Sequence, residues 1–390
     1  MQRVQRQPYT YGPNAQELKR VPEFKFLGLQ QSESHSTAAT LEARAAAFAA
    51  SLQKASRTAR RLSLGRHLPT RIKLAGIYAV PTANYGDVVW GTTQLRPDTC
   101  LDNPAQVAML GHLKRAARLP PTTPTWPLLN ELGVQPLQRG WWKHTLKFYN
   151  RAVSEQGRSH SPLMYTALAE DMRCAAATPG SWSGELLTAL GTLGGAAAEG
   201  VQQAGQEGRT ALQQAAAALQ PLDVEEVMQM VDAAYHAQQD TSQAAANPRD
   251  PDTEHRGIAT YGAWFQPTVG RVMEYAKGRT SGRACWRVQA NLRLRLGAQP
   301  TPVTLGARFG VPLGQRTCPA CAGRGEGEHL GDVLHTCFQC EHVQEQLTAR
   351  WGWQGPPGRA TDFTQLYSGS LGRAMAYGAD IVELMGQGEE

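Results

Sequence analysis

The sequence predicts a mainly α-helical protein in three parts, on three observations. Runs rich in Ala, Leu and Arg repeat apolar residues at helical spacing, as in "LEARAAAFAASLQKASRTARRL" over 41–62. A stretch rich in Ala, Gln, Gly and Ser then separates two more aromatic regions. Lastly, four of the seven cysteines crowd between Cys318 and Cys340, where they predict a small stapled α/β unit.

The first part, 1–155, opens with a β-like segment, "EFKFLGL" at 23–29, in which Gly28 serves the turn after the strand. The helix over 41–62 follows, and further helices broken by prolines run on to "WWKHTLKFYNRAV". The second part, 156–256, reads as a few Ala-rich helices joined by flexible linkers, closing on the turn-rich "AAANPRDPDTEH". The third part, 257–390, is basic and cysteine-bearing. It holds a helix in "SGRACWRVQANLRLRLG", which places Cys285, Val288, Leu292 and Leu296 on one face, and another in "CEHVQEQLTARW". No internal repeat is present.

Composition narrows the class. With 41% hydrophobic residues the chain is too polar to be fibrous or membrane-embedded, and no apolar run approaches the roughly 18 residues of a spanning helix. The N-terminal "MQRVQRQPYT" has no apolar core of the kind a secretory signal needs, so a nuclear or cytoplasmic protein that is not secreted is expected. Thiols stay reduced in such compartments, and clustered cysteines then point to metal ligation before disulfides.

The spacing Cys318-x-x-Cys321 lets two thiolates reach one tetrahedral Zn²⁺, with Gly323 and Gly325 supplying a tight turn. His335 and Cys340, spaced H-x4-C, complete a Cys3His set, with His329, Cys337 and His342 as rival ligands. Four protein ligands leave no open position, so the expected Zn²⁺ is one structural ion.

Charge points to a polyanion. Between Glu274 and Glu326 there is no acidic residue, whereas Lys277, Arg279, Arg283, Arg287, Arg293, Arg295, Arg308, Arg316 and Arg324 are basic, more positive than the chain's net +6. Arg279, Arg283 and Arg287 form a stripe opposite the apolar face, while Arg293, Arg295 and Arg316 add cations and Tyr275 and Trp286 offer rings for stacking. In the first part, Lys54, Arg57, Arg60 and Arg61 end the 41–62 helix, and Lys114, Arg115 and Arg118 lie in "HLKRAARLP". RNA or DNA is the expected partner.

These segments also resemble a known family. "ANLRLRLGAQPTPVTLGARFGVPLGQRTCPAC" followed by "GDVLHTCFQC" is similar to the C-terminal region of non-LTR retrotransposon reverse transcriptases, in which a cysteine stands five residues beyond the histidine; that pattern selects Cys340 over Cys337. "EFKFLGL" resembles the strand-turn closing the polymerase palm, "LPTRIKLAGIYAVPTANYGDVVWG" the thumb helix, and "LNELGVQPLQRGWWKHTLKFYNR" the connector beyond it. The resemblance implies a thumb-like helical first part and a zinc-binding third part that grip nucleic acid. Polymerase chemistry needs paired aspartates for two Mg²⁺ ions, and the chain has no Asp-Asp pair, so it is not expected to be an enzyme as it stands. The alternatives are one part of a split RNA-directed DNA polymerase, completed by a palm-containing partner chain, and a zinc-stapled protein-interaction module.

Overall fold

The computed structural model describes residues 38–178, 180–193, 211–244 and 281–298, four strand segments between Thr10 and Ser32, and parts of 271–277 and 301–351 together with Asp380. Among these residues the protein is mainly helical. β1 (Thr10–Tyr11) pairs antiparallel with β2 (Gln16–Glu17). β3 (Glu23–Phe26) pairs antiparallel with β4 (Leu29–Ser32), Phe26 standing opposite Leu29. The strand expected over 23–29 is thus β3 and the start of its return strand, while Gly28 lies outside the described residues.

α1 (Ala38–Arg61) forms where the Ala-rich run predicts a helix, and buries Phe48, Leu52, Ala55 and Ala59 at spacings of four, three and four. Against that stripe pack α2 (Leu68–Tyr78) and, after the short α3 (Val80–Ala83) and α4 (Asp87–Trp90), α5 (Pro104–Ala117). The start of α5 is fixed by Pro104 in its first turn and by Asn103, whose side chain accepts from the Ala105 amide at 2.8 Å. It ends at Arg118 in the left-handed conformation, φ 56°. α6 (Thr125–Leu132) stops at left-handed Gly133, and α7 (Leu137–Val153) carries Trp141, Trp142, Leu146 and Tyr149 into the centre of the core, where each is at most 1% exposed.

The described residues of the Ala-rich second part are packed onto this centre. After α8 (Glu155–His160) come α9 (Pro162–Cys174), α10 (Trp182–Thr192), a helical turn pair over 211–217 and α11 (Val224–Ala244). The Tyr149 hydroxyl lies 3.0 Å from both the Ala216 and Gln220 carbonyls. Asn150 donates to the Leu222 carbonyl and accepts from its amide, and Arg139 forks onto Asp232 at 2.7 and 2.8 Å. Leu186, Leu190 and Leu193 are fully buried, each worth roughly 1.5–3 kcal/mol of apolar burial. Alanine conceals this in the sequence, because it scores as a weak hydrophobe while its small side chain lets helices approach closely.

In the third part, α12 (Arg271–Ala276) precedes α13 (Gly282–Arg295), α14 (Pro319–Arg324) and α15 (Glu341–Trp351). α13 buries Cys285, Val288 and Leu292, with Leu296 just beyond, as its apolar periodicity predicts. Its last turn departs from that pattern. Ala290, Asn291, Leu294 and Arg295 are buried as well, while Arg293 stays half-buried. For Arg295 the partner is an ion pair: its Nη2 meets Glu131 Oε1 of α6 at 2.5 Å, both side chains with 0% exposure.

Candidate metal centre and cationic surfaces

Cys318 ends the segment before α14, Cys321 sits within it, and Cys340 immediately precedes α15. An antiparallel bridge between Thr317 and Leu330, with the Cys318 amide on the His329 carbonyl at 2.7 Å, brings the two halves of the cluster together. His335 closes the set, its carbonyl accepting from the Cys340 amide at 2.7 Å. The four ligand atoms all lie within 4.8 Å of one another, and all four residues are buried. Cys318 Sγ is 3.9 Å and Cys321 Sγ 3.7 Å from Cys340 Sγ, and Cys321 Sγ is 3.2 Å from His335 Nε2. Such a group can hold a metal ion. Burial, followed by the neighbouring sulfurs, pushes the Cys321 thiol up to about 12, and burial also raises Cys340. A metal must therefore displace protons from both.

Two of the rival ligands stand aside. His329 is exposed and stacks its ring on His335 with centroids 5.0 Å apart. His342 faces Arg324 and Gln346 at 3.1 and 2.8 Å on the surface of α15. Cys337 lies outside the described residues, as does Gly325. Gly323, expected in a tight turn, belongs to the short helix α14.

The arginines expected to face nucleic acid divide sharply. Arg295 and Arg316 do not face solvent: Arg295 is paired with Glu131, and Arg316, 8% exposed, donates to the Val311 and Val303 carbonyls. Both are consumed inside the fold, where a buried guanidinium must find acceptors. Arg293 is half-buried and donates twice to the Arg118 carbonyl, at 3.1 and 2.8 Å. Trp286 is exposed and Arg287 half-buried, so these remain at the surface of α13. Arg279 and the side chains of Arg283 and Tyr275 lie outside the described residues.

In the first part, Lys114 donates to the Pro121 carbonyl at 2.6 Å, and Lys54 stands 5.4 Å above the Tyr78 ring. Arg61 and Arg118 are exposed. Arg57, Arg60 and Arg115 converge on one groove between α1 and α5, where Arg71 of α2 joins them. Arg71 carried no sequence signal, because its neighbours in "LPTRIKLAG" are not basic apart from Lys73.

No family model, curated protein or solved structure matches the chain. Among the described residues no helix is long and apolar enough to cross a membrane.

Proposed function

We propose that this chain binds RNA or DNA through the sugar-phosphate backbone, carries one structural Zn²⁺, and corresponds to the C-terminal part of a non-LTR retrotransposon reverse transcriptase without polymerase chemistry of its own. The observation that carries this is the convergence of Cys318, Cys321, His335 and Cys340, the four residues at the positions of that family's cysteine-histidine pattern. In a tetrahedron with Zn–S bonds of about 2.3 Å the sulfurs stand about 3.8 Å apart. The 3.9 and 3.7 Å separations fit that edge, and three thiolates with one imidazole form a donor set that zinc favours. With every tetrahedral position taken by protein, the ion would brace the segments around α14 and α15 and leave no site for substrate. The nucleic-acid half is supported by the uncompensated arginines of the first part. The sequence has no Asp-Asp pair with which to hold two catalytic Mg²⁺ ions.

Elemental analysis of the purified full chain tests the metal. One zinc per chain is expected; Cys340→Ser should lose it and Cys337→Ser keep it, and the reverse result would make Cys337 the fourth ligand. Titration of a labelled oligonucleotide at low salt tests the other half, and absence of binding there would overturn it.

A further inference from the structure

Between α1, α2 and α5 runs a groove of about 700 Å³, into which Arg57, Arg60, Arg71 and Arg115 project beside Ser56 and His112. No acidic side chain lines it, and Arg57, Arg60 and Arg115 form no ion pair among the described residues. Like charges held together without a counterion oppose folding. Arg71 registers that strain: burial first, and then Arg60, Arg115 and Arg118, make its guanidinium less comfortable as a cation.

Two further observations show a groove shaped around those charges. Gly111 sits in the interior of α5, where glycine is a poorer helix former than alanine. A Cβ at that position would stand 3.2 Å from Arg115 Nη1, so the guanidinium lies close against the bare backbone of the helix. On the floor, His112 is 2% exposed, with its Nδ1 3.5 Å from Ser56 Oγ and the Arg71 backbone hydrogen-bonded to its ring.

We propose that this groove seats consecutive phosphates of a nucleic-acid strand. The inference rests on the nucleic-acid function proposed above and gives it an address in the first part, distant in sequence from the metal centre. Planar guanidinium forks match phosphate oxygens two at a time, and the Ser56 hydroxyl complements the same oxygens. No Phe, Tyr or Trp side chain lines the groove and its one imidazole is buried, so bases stay outside and sequence goes unread. Its volume is that of a pocket for a drug-sized ligand, which suits a short stretch of backbone.

The test titrates the full chain against a fluorescent oligothymidylate of about ten nucleotides at several salt concentrations. Replacing Arg57, Arg60 and Arg115 together by Gln should weaken binding at least about tenfold and flatten the log–log salt slope by about two to three. Arg57→Gln alone, at an exposed position of α1, should leave the melting temperature unchanged yet weaken binding measurably and flatten the slope by a little under one. This second variant guards against a triple substitution that fails to fold. If wild type binds and both variants bind equally well, the groove is not the seat, although the protein still binds nucleic acid. If wild type does not bind at all, both proposals fall. Inorganic tripolyphosphate or poly-glutamate displacing the strand at equal phosphate or carboxylate concentration would also overturn the inference, since either would mark a site for compact polyphosphate or for any polyanion.

Discussion

His112 is a residue whose protonation the fold resists. Burial, followed by the charges of Arg71 and Arg115, pushes it down to about 4 from an ordinary 6.5, with the Arg71 backbone pulling weakly the other way. Between those values the unfolded chain binds more protons than the folded one, so stability is full above about pH 6.5 and is lost as pH falls towards 4. The difference corresponds to at most about 3 kcal/mol. Urea midpoints of wild type and His112→Gln should therefore converge, or cross, between pH 7 and pH 4.5. Parallel pH profiles would show that the imidazole is not held neutral. The site residues were unequally legible at this scale. Cys318 and Cys321 announce themselves because ligand spacing along a chain is a local property, whereas spacing leaves His329, Cys337 and His342 as rivals and the choice of Cys340 over Cys337 comes from the family resemblance. His112 stands next to Lys114 and Arg115 in the sequence, yet nothing there tells that it is buried, since burial is decided by α1 and α2 from elsewhere in the chain.

Among the helices, α5 shows how an element end is finished by distant side chains. Its last carbonyls receive guanidinium groups from two other helices, Arg71 on Ala116 at 3.1 Å and Arg293 on Arg118 at 2.8 Å, which suits the negative end of the helix dipole. Arg118 itself holds the left-handed conformation that glycine adopts without strain, and its own side chain is exposed. Arg118→Gly should accordingly stabilise the protein by about 1 kcal/mol, read as a higher melting temperature, since only the carbonyl is used by Arg293. An unchanged or lower melting temperature would contradict the strain. Periodicity identified α1 and the apolar face of α13 because each helix signals its own buried stripe. It did not identify the burial of Arg295 in the last turn of α13, because its partner stands on α6, a neighbour in space only. Arginine there reads as a surface residue until its partner Glu131 is seen.

Across the whole molecule, the Glu131–Arg295 pair joins α6 to the end of α13, which precedes the candidate metal site in the chain. Breaking a buried pair leaves a stranded charge, so Arg295→Met alone should cost about 3–5 kcal/mol in a denaturation experiment. Replacing both partners, Glu131→Leu with Arg295→Met, should recover most of that loss, because two apolar side chains strand nothing. Additive losses in the double variant would mean that the two residues do not act as a pair. The three compositional parts of the sequence are likewise bound more closely than composition suggests: Tyr149, Asn150 and Arg139 of the first reach Ala216, Leu222 and Asp232 of the second.

The same joint constrains how this chain can vary over time. A loss of about 3–5 kcal/mol is a large share of the roughly 5–15 kcal/mol that keeps a domain folded, so a lineage that alters position 131 or position 295 alone passes through a poorly folded ancestor. Two positions 164 residues apart are thereby inherited as one unit. Diverged copies should either keep both charges or have lost both, with single-charge intermediates rare.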